Sequence, residues 1–193
     1  MASKLFVVVL LLLLASCASQ TRVDLFTLDV PVASKPPQDL LPVTLAVGRP
    51  SVLPGYDTPR MAYVTRPHQI DYFSRNQWVD SPAKMLHPIL VEALSRRFKN
   101  VVNAPSPGDM QLDTEIVLLR QEFSGNSSRI HFVLRALIHR GGQATETREF
   151  EIFEACPENN PYGGVVAANQ AVSALMHELS DYCASLAPIA VRH

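Results

Sequence analysis

The sequence has 193 residues, of which 47% are hydrophobic and 18% are charged. This composition excludes a disordered polymer and favours one packed domain. The 17 Lys and Arg residues nearly balance the 18 Asp and Glu residues, which gives a formal net charge of -1. Because no basic excess is available to neutralise phosphates, we do not expect a nucleic-acid partner.

The first 16 residues have the layout of a signal peptide. Lys4 supplies a positive charge, Leu5–Leu14 is a short apolar run, and small residues follow up to Cys17. The run is about half the roughly 20 residues that a membrane-spanning helix needs. We therefore predict that residues 1–16 are a signal peptide and not a retained membrane anchor.

Leu14-Ala15-Ser16-Cys17 resembles a bacterial lipobox. A lipobox implies that Cys17 becomes the new N-terminus and carries acyl chains such as palmitate, whereas the alternative is ordinary cleavage beside an incidental cysteine. Two or more acyl chains hold a protein on a membrane essentially permanently. In lipoproteins of this kind the second residue after the cysteine influences sorting. Here that residue is Ser19, which favours the periplasmic face of the outer membrane. We predict a tether at 17–22, a domain at 23–187 and a tail at 188–193.

If Cys17 carries lipid, Cys156 and Cys183 are left as a pair in an oxidising compartment. A disulfide between them is one prediction. A helix from about Gly164 past Cys183 would rise about 28 Å, so the bond would require the preceding loop to double back along the helix. Two separate buried thiols are the alternative, and both stay open.

In chain order, the first half is predicted to contain short strands and one helix. Alternating or apolar runs predict strands at 23–28, 43–47 and 61–64, an extended connection at 32–42, turns at 53–59 and a hairpin partner at 70–73. Ser81 as N-cap and Pro82 at the first helical position start a helix that we expect to reach about Lys99. Pro88 should bend its first turns, with Trp78 packed on the bend.

The second half predicts three long strands followed by a helix. The alternating runs are 111–123, 129–140 and 144–155, joined by hairpin turns, and an amphipathic helix follows from about Gly164 to Leu186. In the middle run Ile130, Phe132, Leu134, Ala136 and Ile138 share one face, and His131, Arg135 and His139 lie on a solvated face. We predict a single α/β sandwich domain with a mostly antiparallel or mixed sheet and two main amphipathic helices.

Motifs for catalysis are missing from the sequence. The six histidines have no metal-ligand spacing, and no Gly-x-Ser-x-Gly elbow or phosphate-binding glycine pattern occurs. We therefore predict no enzymatic activity, no cofactor and no metal, although residues brought together only in space would escape this search.

Several ordered segments resemble one family of lipoproteins. They are GYDTPRMAYV at 55–64, RPH at 66–68, NQWVD at 76–80, PAKML at 82–86 and GGVVAAN at 163–169. They resemble the ABC-type transport auxiliary lipoproteins, the family of paraquat-inducible protein C. The resemblance covers about Leu25 to Ala184 and coincides with the lipobox.

The resemblance implies an α/β domain that acts beside an ABC transporter and an MCE-domain substrate-binding protein in lipid traffic between two membranes. Some relatives assemble as rings, so a homo-oligomeric ring is a further expectation. Tyr56, Arg60, Tyr63 and Trp78 are candidates for the partner surface, because aromatic and Arg side chains dominate interface energetics. Ordinary packing is the alternative for these four residues. The alternative function is a structural or scaffold envelope lipoprotein without a transport role.

Overall fold

The computed structural model describes residues 22–30 and 39–188. The predicted signal peptide, Cys17, most of the tether, most of the predicted 32–42 connection and the last five residues lie outside this part. The strands are β1 Asp24–Phe26, β2 Leu41–Val47, β3 Ser51–Val52, β4 Arg60–Val64, β5 Asp71–Trp78, β6 Phe98–Asn103, β7 Met110–Ser124, β8 Ser127–Arg140 and β9 Glu146–Ala155, and the helices are α1 Pro82–Ser95 and α2 Pro161–Ser185.

The long strand β7 organises one mixed sheet. Strand β8 pairs antiparallel with β7 over its whole length, and β9 pairs antiparallel with β8. On its other side, β7 pairs in parallel with three short strands, one after another along its length. Residues Met110–Leu112 of β7 pair with β2, Glu115–Ile116 pair with β3, and Gln121–Glu122 pair with β4. Strand β5 then pairs antiparallel with β4, β1 parallel with β5, and β6 parallel with β2. The predicted α/β class with a mixed sheet is confirmed.

The hydrophobic core lies between this sheet and the two helices. The five residues of β8 predicted to share a buried face, Ile130, Phe132, Leu134, Ala136 and Ile138, are all buried. Helix α2 covers them with Ala168, Val172, Leu175 and Leu179, and α1 adds Leu86, Leu90 and Leu94. The apolar faces that follow from the 3.6-residue period of the helices and the two-residue period of the strands therefore pack against each other in one layer.

Helix α1 is shorter than predicted. It ends at Ser95, and Phe98 begins β6 instead of extending the helical stripe. The backbone of Arg97 accepts a hydrogen bond from the Leu41 amide at 2.9 Å, which starts the parallel pairing of β6 with β2. An apolar residue at this position suits either element, and Val101 and Val102 after it favour the strand.

Helix α2 begins with a tight junction to the sheet. The Asn160 side chain caps the helix by accepting the Gly163 amide at 2.8 Å. A Cβ on Gly163 would lie inside contact distance of the Glu158 backbone, 2.8 Å from its carbonyl carbon and 2.9 Å from its nitrogen. A Cβ on Gly164 would lie 2.8 Å from the side-chain amide carbon of Gln121. The two glycines therefore allow the helix start to approach both the loop and β7.

Candidate functional site

The four residues predicted as a partner surface do not all reach the surface. Tyr56 lies half-buried in the loop between β3 and β4, Arg60 is exposed at the start of β4, and Tyr63 is half-buried on the same strand. Trp78, at the end of β5, is only 4% exposed and belongs to the hydrophobic core. Trp78 therefore follows the alternative given for these residues, ordinary packing, and is not part of an exposed partner surface.

Arg60 and the loop before it are fixed on strand β5. The Arg60 guanidinium lies 4.0 Å from the centre of the Tyr72 ring, in a cation–π geometry. The Tyr72 hydroxyl donates a hydrogen bond to the Gly55 carbonyl oxygen at 2.7 Å. Gly55 has a φ of 96°, which a residue with a side chain adopts only with strain. This geometry presents the exposed Arg60 guanidinium on an ordered support.

Tyr63 belongs to a half-buried aromatic cluster that sequence reasoning did not find. Its ring stacks on Phe73, with 4.4 Å between centroids, and Phe123 meets both rings edge-on at 5.9 and 6.3 Å. The three rings come from β4, β5 and the end of β7. We call Tyr56, Arg60, Tyr63, Phe73 and Phe123 the aromatic surface.

An ionic network covers the face of the sheet opposite the helices. Burial raises the pKa of Glu122, but hydrogen bonds from Arg120, His131 and Arg129 outweigh it and lower the pKa to about 2. Arg120 and Arg129 donate to the Glu122 carboxylate at 2.7 and 2.9 Å. Burial lowers the pKa of Arg120, but its interactions with Glu122 and Tyr56 raise it, so Tyr56 of the aromatic surface lies beside the network.

His131 takes part in this network and is not solvated as predicted. Its Nδ1 lies 3.0 Å from Glu122, its Nε2 lies 2.8 Å from Glu151, and its side chain is only 12% exposed. Its ring also stacks on Phe153 at 4.2 Å. Arg135 bridges Glu115 and Glu149, and His139 pairs with Asp113 at 3.3 Å. In the part of the chain that the structure describes, no group of three or more His, Cys, Asp and Glu residues has a geometry that could hold a metal ion.

The structure does not bring Cys156 and Cys183 together. Both are free thiols. The Cys156 sulfur lies 3.6 Å from Gln121 Nε2, and that amide also donates to the Asn160 carbonyl oxygen beside the start of α2. Cys183 lies near the other end of α2, roughly 30 Å away at about 1.5 Å per residue. The disulfide predicted as one alternative is therefore not formed, and burial raises the pKa of Cys183 to about 12.

A groove of about 820 Å³ lies between the two helices and the segment Thr27–Val30. Leu28, Met85 and Met176 are among its apolar lining residues, and the Arg97–Asp181 ion pair lies on its border. The segment is held by Asn169 of α2, whose Oδ1 accepts the Asp29 amide at 2.6 Å. Asn169 lies in the segment 163–169 that carries the family resemblance, but the sequence did not predict this contact. No helix in residues 22–30 or 39–188 is long and apolar enough to cross a membrane.

The family model described as "ABC-type transport auxiliary lipoprotein component" matches residues 26–180. The chain belongs to this family. The matched residues include the aromatic surface, the ionic network and all of the groove lining except Asp181. No curated protein matches the sequence.

Solved structures support the fold of this auxiliary lipoprotein. Protein XCC0632 from Xanthomonas campestris, a member of the family DUF330, is similar with a TM-score of 0.76 and 18% sequence identity, covering 84% of this chain and 95% of that one. A second crystal structure, of an uncharacterized protein, has a TM-score of 0.66 and 16% identity and covers 84% and 99% of the two chains. At these identities the likeness concerns the fold alone.

Proposed function

We propose that this auxiliary lipoprotein is anchored by acylated Cys17 to the periplasmic face of the outer membrane and docks to the MCE-domain protein of an ABC-type lipid transport system. The family match over residues 26–180 carries the proposal, because it gives the chain an auxiliary role beside an ABC transporter. The lipobox supports the anchor, with residues 17–22 as tether and 23–187 as the periplasmic domain. A homo-oligomeric ring belongs to the same proposal and is supported by the resemblance alone.

The aromatic surface is the docking site that we favour. It combines an exposed guanidinium, Arg60, with four half-buried aromatic rings, and such residues supply most of the energy at protein interfaces. The supporting contacts of Arg60 and Tyr63 limit their conformational freedom before binding, which reduces the entropy lost on docking. We propose that the protein acts by this contact and has no enzymatic activity.

Site-specific photo-crosslinking in native membranes tests this proposal. A photoreactive amino acid at position 60 should capture an MCE-domain protein, identified by mass spectrometry. Lys99, which is exposed on β6, provides the matched control position and should not capture it. Capture of other envelope proteins in place of an MCE-domain protein would support the alternative function, a scaffold lipoprotein without a transport role.

A further inference from the structure

Exposed apolar side chains are concentrated at one edge of the molecule. Among the described residues six large hydrophobic side chains are exposed: Val23, Leu25, Ile70, Val79, Phe153 and Tyr162. Four of them surround strand β1, whereas Ile70 lies at the opposite end of β5 and Phe153 lies on β9, at the other edge of the sheet. Single exposed apolar residues are ordinary, but a cluster of this kind marks an interaction surface.

These four residues flank β1, with Val23 and Leu25 on the face away from the helices and Tyr162 on the helix side. Leu25 pairs in register with Gln77 of β5, and the Val79 amide donates to the Phe26 carbonyl oxygen at 2.8 Å. On the helix side the Phe26 ring lies 6.2 Å from the ring of Tyr162 in the first turn of α2. Leu25, Val79 and Tyr162 are 61%, 55% and 57% exposed, and Val23 is 39% exposed. We call Val23, Leu25, Val79 and Tyr162 the apolar edge.

The apolar edge is also the part of the domain that is tied to Cys17. Val23 is the sixth residue after Cys17, and six extended residues reach about 20 Å. Strand β9 lies five strands away across the sheet, about 24 Å at the usual spacing of 4.8 Å, which is more than the length of the tether. If Cys17 is acylated, the tether therefore keeps the apolar edge within about 20 Å of the bilayer.

The charges around the apolar edge suit an anionic phospholipid surface. Arg22 and Arg75 are both exposed, and the register of β1 with β5 places Arg75 beside Val23. Asp80, next to Val79, is paired with Lys84 at 3.0 Å. Asp24 is exposed on the helix-side face of β1 together with Phe26, so Arg75 lies on the face of Val23 and Leu25 without this carboxylate. Arginines next to exposed apolar side chains bind anionic headgroups while the apolar groups enter the boundary with the acyl chains.

We propose that the apolar edge is a membrane-contact surface, on which Val23, Leu25, Val79 and Tyr162 insert at headgroup depth into the bilayer that holds the lipid anchor. This inference rests on the acylation of Cys17 in the proposed function. Within the described sheet β1 pairs only with β5, so its other edge has unpaired backbone groups. These groups stay hydrated at headgroup depth, which limits the insertion to the interface.

The contact is tested with the full lipidated chain in vesicles of phosphatidylethanolamine and phosphatidylglycerol. A cysteine introduced by Leu25→Cys, in a Cys156→Ser background, is labelled with a fluorophore, and quenching by phospholipids brominated near the headgroup end of the acyl chains is recorded. Phe153→Cys is the matched control, because Phe153 is also an exposed apolar residue, 46% exposed, on the far edge. The label at position 25 should lose its fluorescence, and the label at position 153 should keep it.

Flotation of the vesicles separates this inference from the proposed function. Protein that floats with the vesicles while the label at position 25 stays unquenched would contradict the membrane contact and leave the anchor intact. Protein that does not float would contradict the Cys17 anchor and with it the tether on which the contact depends. Crosslinking of position 25 to a second protein chain in the vesicles would also overturn the contact, because a protein would then cover the apolar edge.

Discussion

Replacing Gly163 with alanine tests whether the junction between α2 and the sheet is as tight as the structure has it. In an unconstrained helix this change stabilises by up to about 1 kcal/mol, because alanine loses less backbone freedom on folding. In this protein the new Cβ would overlap the Glu158 backbone, 2.8 Å from the carbonyl carbon. Backbone cannot rotate away as a side-chain end can, so the loop before the helix has to move.

The cost of that movement can be estimated from two contacts. Overpacking a tight site costs about 1–3 kcal/mol. The displaced loop also carries Asn160, whose 2.8 Å capping bond to the Gly163 amide is at risk, and losing such a cap costs about 1 kcal/mol. After subtraction of the helix-propensity gain, we expect a net destabilisation of about 2 kcal/mol. At about 2–4 °C per kcal/mol for a domain of this size, Tm should fall by about 4–8 °C.

Urea and thermal unfolding, followed by circular dichroism, measure the effect. Gly141→Ala is the matched control, since a Cβ there would meet nothing within 4 Å and Gly141 does not need a left-handed conformation. Its stability should stay within about 0.5 kcal/mol of wild type. A Gly163→Ala protein that is as stable as wild type, or more stable, would refute the close approach of Glu158.

Three further predictions test other parts of the molecule. The pKa of Glu122 is about 2 in the folded protein, against an ordinary value of 4.5. Its ion pairs therefore stabilise the folded state fully above pH 4.5, and this stabilisation is lost as the pH falls through about 2. Glu122→Gln should therefore lower the free energy of unfolding by about 1 kcal/mol near pH 7, with the difference from wild type disappearing at low pH in unfolding curves. Cys17→Ala should abolish metabolic labelling with a fatty acid, and equal labelling of wild type and variant would contradict acylation at this position. Alkylation of unreduced native protein should modify half-buried Cys156 faster than buried Cys183. If neither cysteine is alkylated after unfolding without reductant, the two are joined in a disulfide and the free thiols of the structure are wrong.

The sequence predicts those parts of the fold that depend on local periodicity. The three long strands and the second helix follow from strict two-residue and 3.6-residue patterns, and their observed bounds lie close to the predicted ones. The predicted end of α1 was wrong, because Phe98 fits the apolar spacing of the helix as well as that of strand β6. The parallel docking of β2, β3 and β4 along β7 could not be predicted, because such pairing depends on contacts far apart in sequence.

The candidate sites depend on tertiary structure even more strongly. Tyr63 and Phe123 are 60 residues apart in the sequence, and only the β4–β7 pairing brings them together. Trp78 looks like an interface residue by type, but the folded chain buries it in the hydrophobic core. The apolar edge depends on which strand ends the sheet, and the amino-acid pattern of β1 alone does not specify this.

The position of β7 in the chain also governs how the domain can be assembled during export. Strands β2, β3 and β4, within residues 41–64, all pair with a strand that begins at Met110. If the chain is exported N-terminus first, as in the proposed function, these strands reach the periplasm before their shared partner. Their apolar faces and hydrogen-bonding edges then stay open until residues 110–124 have followed. Such long-range pairing slows folding and exposes strand edges to aggregation. With export as proposed, the N-terminal half should therefore depend on periplasmic chaperones until β7 has crossed the membrane.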